Sequence, residues 1–526
     1  MSIFSTVPVK KPKMSAFDLS YNNYFTCDMG ELIPAFVLPI VPSDRIEYSP
    51  TFQVRFAPML NPVYADIYAK VECFFVPYRL VWDHWKNFIT GISQSSQSGP
   101  DGVVPSNVPT VNVASSWSGS APTSSQLDGA RLADFLGALG FYRIVKSKST
   151  WSDIDIRYTF NCLPFRAYTL IWNEFYRDEF VDPSFVYGVN GTTGLFDIGS
   201  GYPTLDNYGI FRRRWQKDYF TTATPNPQYG AVAAGVDVSV TGSAIGNLSG
   251  FFSVAQFRVA NSLQKFLERT NIGGGRYNEF ILAHFGCMPT DATIQRPEFL
   301  GSVTAPVQVM AISQTSGVAE DNSASKGNAL GAQAGQMSAV GTKLCFRRSF
   351  KEYGVILGLF SVFPKPVYSD GLSRYLMAGV PSFDSTVDPM TGIKSYGSRF
   401  DFGFPEFAGV GDQYVLQSEL ATAAVAETTI AGFGYQQRYA EFKMNFDQVH
   451  GDFSLSESGL AQYTFARFFS GYQNLTSNFL ECTPRADCFV LRSSDQFSST
   501  VNQCWVQLRN NVRAIRPFPK FSTPTL

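Results

Sequence analysis

The stretch Ala65–Pro77, ADIYAKVECFFVP, sets Ile67, Ala69, Val71, Cys73 and Phe75 on one face and Tyr68, Lys70, Glu72 and Phe74 on the other. Side chains alternate across an extended backbone, so this period of two predicts a β-strand with one face turned to a core. The alternation returns late in the chain. Phe442, Met444 and Phe446 stand opposite Glu441, Lys443 and Asn445, and Cys504, Val506 and Leu508 stand opposite Trp505, Gln507 and Arg509. Tyr353–Phe363 is apolar on both faces and rich in Val, Ile and Phe, as expected of a strand covered on both sides.

Between these strand regions the period changes to that of helices. Leu132, Phe135, Leu136 and Leu139 recur at i, i+3, i+4 and i+7, as do Tyr168, Ile171, Trp172 and Phe175 after Pro164. A third helix is expected from about Val254 to Arg269, stopped by Gly273–Gly275. Polar tracts rich in Gly, Ser or Pro at 93–126, 188–207, 230–250 and 317–341 read as insertion loops. Residues 1–20 read as an extended arm, and 505–526 as a basic, aromatic tail. Widely separated strands with apolar faces close most naturally as two packed antiparallel sheets in a jelly roll. No fixed repeat is visible, so residues 1–526 are expected to form one elaborated domain.

Aromatic residues make up 15% of the 526-residue chain, with 47 Phe and 25 Tyr, enough for a large core and for aromatic contacts between subunits. Charged residues are only 16%, against about 25% in typical soluble proteins, which suits a surface largely covered by other copies. The net charge of −1 removes any global reason to condense nucleic acid, so such contacts must be local. The eight cysteines include no C-x-x-C pair and read as free thiols of a reducing compartment. The first twenty residues carry lysines but no apolar block, so no export signal is expected there; the apolar run Val355–Phe363 is too short to span a bilayer.

No catalytic set, metal site or cofactor emerges, and the chain is not expected to be an enzyme. His84, His284 and His450 stand at no shared ligand spacing and read as packed histidines. G-x-S-x-G is absent, and no Gly is followed directly by Lys, which removes the usual nucleophile elbow and phosphate loop. Asp153 with Asp155 fits a solvated strand edge better than a calcium site. Two basic stretches remain: Lys10, Lys11 and Lys13 near the start, and Arg509, Arg513, Arg516 and Lys520 near the end, the latter interleaved with Phe518 and Phe521. Arginine for phosphate and aromatic rings for unstacked bases is the pairing that single-stranded nucleic acid requires. Arg212–Arg214 with Trp215 and Lys217 has the same character, and for each cluster an ion pair or a solvated terminus is the competing account.

Five blocks resemble the major capsid proteins of microviruses, especially the gokushovirus-like branch. They are CFFVPYRLVWDHW at Cys73–Trp85, NCLPFRAYTLIWNEFYRD at Asn161–Asp178, RWQKDYFTTATPNP at Arg214–Pro227, GRYNEFILAHFGCMPTDATIQRPEFLGS at Gly275–Ser302 and GYQQRYAEFKMNFDQVHG at Gly434–Gly451. They follow the family's order over most of the chain. The resemblance implies a mainly β, eight-stranded viral jelly roll with long loop and helical insertions, a homo-oligomeric T=1 icosahedral shell and a circular single-stranded DNA genome inside it. It also implies a small basic DNA-binding protein and pilot, spike or scaffold proteins as partners, location in the virion, and assembly in the host cytoplasm. The interval between Pro227 and Val254 is short where relatives often carry a long insertion, so the resemblance does not carry their threefold protrusions over to this chain, and the loops at 93–126 or 317–341 are the other candidates for surface features. The nucleic-acid contacts are then assigned to Arg509, Arg513, Arg516, Lys520 and Phe518, with Lys10, Lys11 and Lys13. Attachment to a host surface through an exposed loop is a further expectation. A jelly-roll carbohydrate-binding protein or glycosidase, using Tyr and Trp as sugar platforms, is the alternative from another class.

Overall fold

The computed structural model describes residues 14–90, 107–112, 123–146, 159–183, 205, 208–226, 277–286, 290–293, 295–313, 333–376, 402–408, 412–421, 432–455, 460–469, 471, 473–489, 493–494, 497–500 and 502–520, with isolated positions between 258 and 269. Eight strands form two facing sheets: β1 (Tyr21–Cys27), β2 (Ile33–Ile40), β3 (Arg45–Phe56), β4 (Ile67–Pro77), β5 (Glu298–Pro306), β6 (Gln333–Thr342), β7 (Gly354–Pro364) and β8 (Cys504–Arg516). One sheet runs β1–β8–β3–β6 and the other β2–β7–β4–β5, with every pairing antiparallel. This strand order is that of a jelly roll, in which the first and last strands of the chain lie side by side. Ser15–Asp18 pairs with the end of β8, Gln308–Ser313 with β6 and Phe346–Ser349 with β3, so the first sheet has seven strands.

The alternation that predicts β4 explains the two cores. Ile67, Ala69, Val71, Cys73 and Phe75 point between the sheets, where they meet Phe52 and Val54 of β3, Phe360 and Val362 of β7, and Val506 and Leu508 of β8. Phe74 and Val76, on the opposite face, pack with Val355, Leu357 and Leu359 of β7 beneath a helical layer. That layer contains α1 (Ser124–Phe135) and α2 (Leu163–Ile171), and it is why all of β7 is buried. Five buried apolar side chains of β4 and β7, Phe74, Val76, Val355, Leu357 and Leu359, lie under the helices. At about 1.5–3 kcal/mol per large side chain, the layer contributes on the order of 10 kcal/mol and is part of the folded unit.

Local signals fix the helices. Thr123 and Gln126 form a reciprocal capping box at the start of α1. Pro164 stands in the first turn of α2, which runs into a π-helical turn at Trp172–Tyr176. Gly30, with φ +87°, joins β1 to β2 where a Cβ would lie 2.0 Å from the Cys482 carbonyl oxygen. Gly30→Ala is expected to cost more than about 2 kcal/mol, read as a lowered urea midpoint, because strain and collision act together.

Five expectations need correction. The loop expected over 317–341 ends before 333, because Gly335, Met337, Ala339 and Gly341 alternate inward to form β6. The tail expected from 505 is strand β8 as far as Arg516, made by the alternation that begins at Cys504. The arm expected over 1–20 includes a paired strand at Ser15–Asp18. Phe442, Met444 and Phe446 form no strand: Ala440–Phe442 is a 3₁₀ turn, and Met444 and Phe446 pack on a separate small core. The 93–126 tract also contains a short strand, Thr110–Asn112, before α1. The loops at 188–207 and 230–250 lie outside the described residues except Leu205, and the Val254–Arg269 helix largely so.

The described cysteines are thiols; Cys345 Sγ lies 3.5 Å from Cys73 Sγ, and burial pushes the Cys73 thiol well up. Among the described residues no helix is long and apolar enough to cross a membrane.

Candidate nucleic-acid interface

The two sheets differ in what covers them. Helices cover the outer face of the four-stranded sheet, whereas the outer face of the seven-stranded sheet carries exposed side chains along its length. On β8 the inward set Cys504, Val506, Leu508, Asn510, Val512 and Ala514 is buried, and Trp505, Gln507, Arg509 and Arg513 are exposed. The one polar member of the inward set, Asn510, accepts from the Tyr48 hydroxyl at 2.7 Å.

Cross-strand register assembles the outer face from residues far apart in sequence. Trp505 stands between Thr26 and Arg55, Gln507 between Tyr24 and Gln53, and Arg509 between Asn22 and Thr51. Tyr24 is 67% exposed and Trp505 43%. With Thr26, Gln53, Arg55 and Gln507 they line a depression of about 490 Å³. Arg513 stands in register between Asp18 and Glu47. The Asp18 carboxyl is held below its ordinary range, chiefly by hydrogen bonds from Ser20 and further by the positive charge of Arg509. The upper part of the face thus presents two aromatic rings, two arginines and neutral amides, a surface able to stack bases and contact phosphates.

Of the residues singled out from sequence, Arg509 and Arg513 share this face. Arg516 has a different role: its Nη2 donates to the Pro39 carbonyl at 2.8 Å, and its Nε lies 3.3 Å from the buried Asp44 carboxylate. Phe518 and Lys520 lie beyond the strand and are exposed, while Lys10, Lys11 and Lys13 lie outside the described residues. Arg516→Thr is accordingly expected to lower stability by about 1–3 kcal/mol, and Arg513→Thr by less than about 0.5 kcal/mol, in parallel urea titrations. Equal losses would mean that the Asp44 contact contributes nothing.

The Arg212–Arg214 cluster is an ion-pair network. Arg212 lies 3.5 Å from Glu481, Arg213 3.1 Å from Glu72 and Arg214 2.6 Å from Asp182. These arginines join the segment after the helical layer to β4 and to residues 477–482, which answers their charge within the chain. Sequence reading missed Tyr24, Gln53 and Arg55. The alternation of Arg45–Phe56 was a usable signal for the strand, but only pairing brings its outward residues beside Trp505. Among the described residues no three His, Cys, Asp or Glu side chains gather as a metal site.

Comparison with known proteins gives a consistent result. The family described as capsid protein (F protein) matches residues 5–250 and 244–526. The chain is 25% identical to capsid protein VP1 of Bdellovibrio phage phiMH2K, with 99% of this chain and 97% of that protein covered. It is 26% identical to capsid protein VP1 of Chlamydia phage 1, again over 99% and 97% of the two chains. Capsid protein VP1 of Spiroplasma virus 4 is 25% identical, over 95% and 93%. The alignment to the Chlamydia phage 1 protein runs over 637 positions, more than the 526 residues here, so that relative holds segments this chain lacks.

Proposed function

We propose that this chain, which belongs to the phage capsid protein (F protein) family, encloses a single-stranded DNA genome in a closed T=1 icosahedral shell and contacts that DNA through the outer face of its seven-stranded sheet. As a microvirus capsid protein it is a structural component of the virion and assembles with copies of itself. The observation that carries the DNA contact is the register that sets Trp505, Tyr24, Arg55 and Arg509 on one uncovered face. That face then lines the lumen.

The near-neutral net charge limits how much phosphate one subunit can neutralise. A small basic DNA-binding protein of the same phage supplies the remaining positive charge in this reading, with pilot, spike or scaffold proteins as further partners and the host cytoplasm as the place of assembly. Light scattering and electron microscopy on the expressed chain, alone and with its neighbouring phage gene products, test the shell. Uniform particles of many subunits are expected, and a persistently small oligomer in every combination would overturn the reading.

A further inference from the structure

A second groove shares no residue with the sheet face. It lies between Trp215 and residues 465–485 and encloses about 710 Å³. Trp215, Phe468, Phe469 and Phe479 supply rings, Arg467 and Arg485 supply charge, and among the described residues lining it there is no carboxylate. Arg467 is held within the ring cluster, its guanidinium carbon 4.1 Å from the Phe479 centroid and 5.2 Å from those of Trp215 and Phe469. It donates to the Phe479 carbonyl at 2.7 Å and to the Tyr368 hydroxyl at 3.3 Å, and makes no ion pair with any described residue. Arg485 lies 4.7 Å from the Phe468 ring centroid and pairs with Asp487, which is not part of the lining. Trp215 is 4% exposed, and its indole N–H has no acceptor among the described residues.

We propose that this groove binds one nucleotide unit of single-stranded DNA. Flat rings favour a flat, polarisable ligand, and a groove with two arginines, one of them without an ion pair among the described residues, favours an anionic one. A nucleotide has both properties, a base for the rings and a phosphate for Arg467 and Arg485. The carboxamides of Asn474 and Asn478 border the groove and can pair with any base edge as donor or acceptor, so recognition is tolerant of sequence. An apolar peptide would use the rings but leave the charge of Arg467 unanswered. The inference rests on the reading that this capsid chain contacts DNA, but it is independent of the sheet face.

The test is ultraviolet crosslinking of the full chain to an oligodeoxynucleotide carrying 5-iododeoxyuridine, with adducts mapped by mass spectrometry. Asn478 and Thr483 are exposed at the groove, so Asn478→Glu with Thr483→Glu adds repulsion without disturbing a core. Adducts are expected on Phe468 or Phe469, falling at least about tenfold in the double variant while adducts on Trp505 and Tyr24 persist. Adducts confined to Trp505 and Tyr24 would overturn the groove and leave the sheet-face proposal standing. Absence of adducts at both places would overturn both. Groove amides that become protected from hydrogen exchange on assembly without DNA would assign the groove to a neighbouring subunit and overturn the proposal.

Discussion

Particles built from the Trp505→Thr, Arg509→Thr, Arg513→Thr variant should sediment as shells of ordinary size while retaining on the order of tenfold less DNA. The expectation follows from the position of these side chains on β8. All three are exposed and project away from the buried inward set. Threonine keeps the preference for extended backbone, so strand β8 and its pairing should survive. The loss on the ligand side is larger. Removing an aromatic platform costs about 1–3 kcal/mol per stacked base, and each lost phosphate contact lowers the salt slope by about 0.7 for single strands. Among single variants Arg509→Thr should weaken retention more than Arg513→Thr, because Arg509 lies closer along β8 to Trp505 and to the Tyr24 position, whereas Arg513 lies a further four residues away. Absorbance ratios and quantitative amplification of DNA from purified particles would measure both effects. Normal DNA content in the triple variant, or a loss of particles in the same proportion as DNA, would rule out the sheet face as the contact.

This face also marks where sequence reading reached its limit. Alternation from Ile67 and from Cys504 was legible because one buried face forces a period of two on the residues that fill it. The unbroken apolar run of β7 was legible for the complementary reason, since both its faces are covered. Alternation at Phe442, Met444 and Phe446 misled because a local period says nothing about whether a partner strand exists. Register is set by tertiary contacts between segments hundreds of positions apart. Trp505 could therefore be read as outward-facing, but its neighbours Thr26 and Arg55 could not be named. Likewise, a run of three arginines has the same sequence signature whether it meets phosphate or carboxylate. Only the fold brings Glu72, Asp182 and Glu481 to Arg212–Arg214.

Arg213→Ala should cost about 3–5 kcal/mol at neutral pH, because it leaves a buried carboxylate with one counter-charge in place of two. Glu72 projects from β4 into the space beneath the helical layer, where its side chain is 11% exposed. Burial pushes its carboxyl up. The Arg213 guanidinium, the Lys70 ammonium at 2.6 Å and the Tyr176 hydroxyl at 2.8 Å outweigh that effect and hold it below the ordinary value of 4.5. A carboxylate held low in the folded state adds stability above its unfolded value and loses it as the pH falls through the folded one. The deficit of Glu72→Gln should therefore be present at pH 7 and shrink as the pH falls below about 4.5. In Arg213→Ala the same carboxyl should rise, because burial is then less opposed, so acidification should relieve part of the damage. The double variant Arg213→Ala, Glu72→Gln should be more stable at pH 7 than Arg213→Ala alone, since the stranded charge is gone. Unfolding midpoints of the four proteins at pH 7 and pH 4 would form the cycle. A double variant no better than Arg213→Ala would mean that Arg213 acts through packing on the Phe363 ring, whose centroid is 3.9 Å from its guanidinium carbon, rather than through charge. Either result bears on assembly, because this cluster fastens the segment after the helical layer to the jelly roll, and a layer that shifts on its sheet would carry any subunit contacts it makes with it.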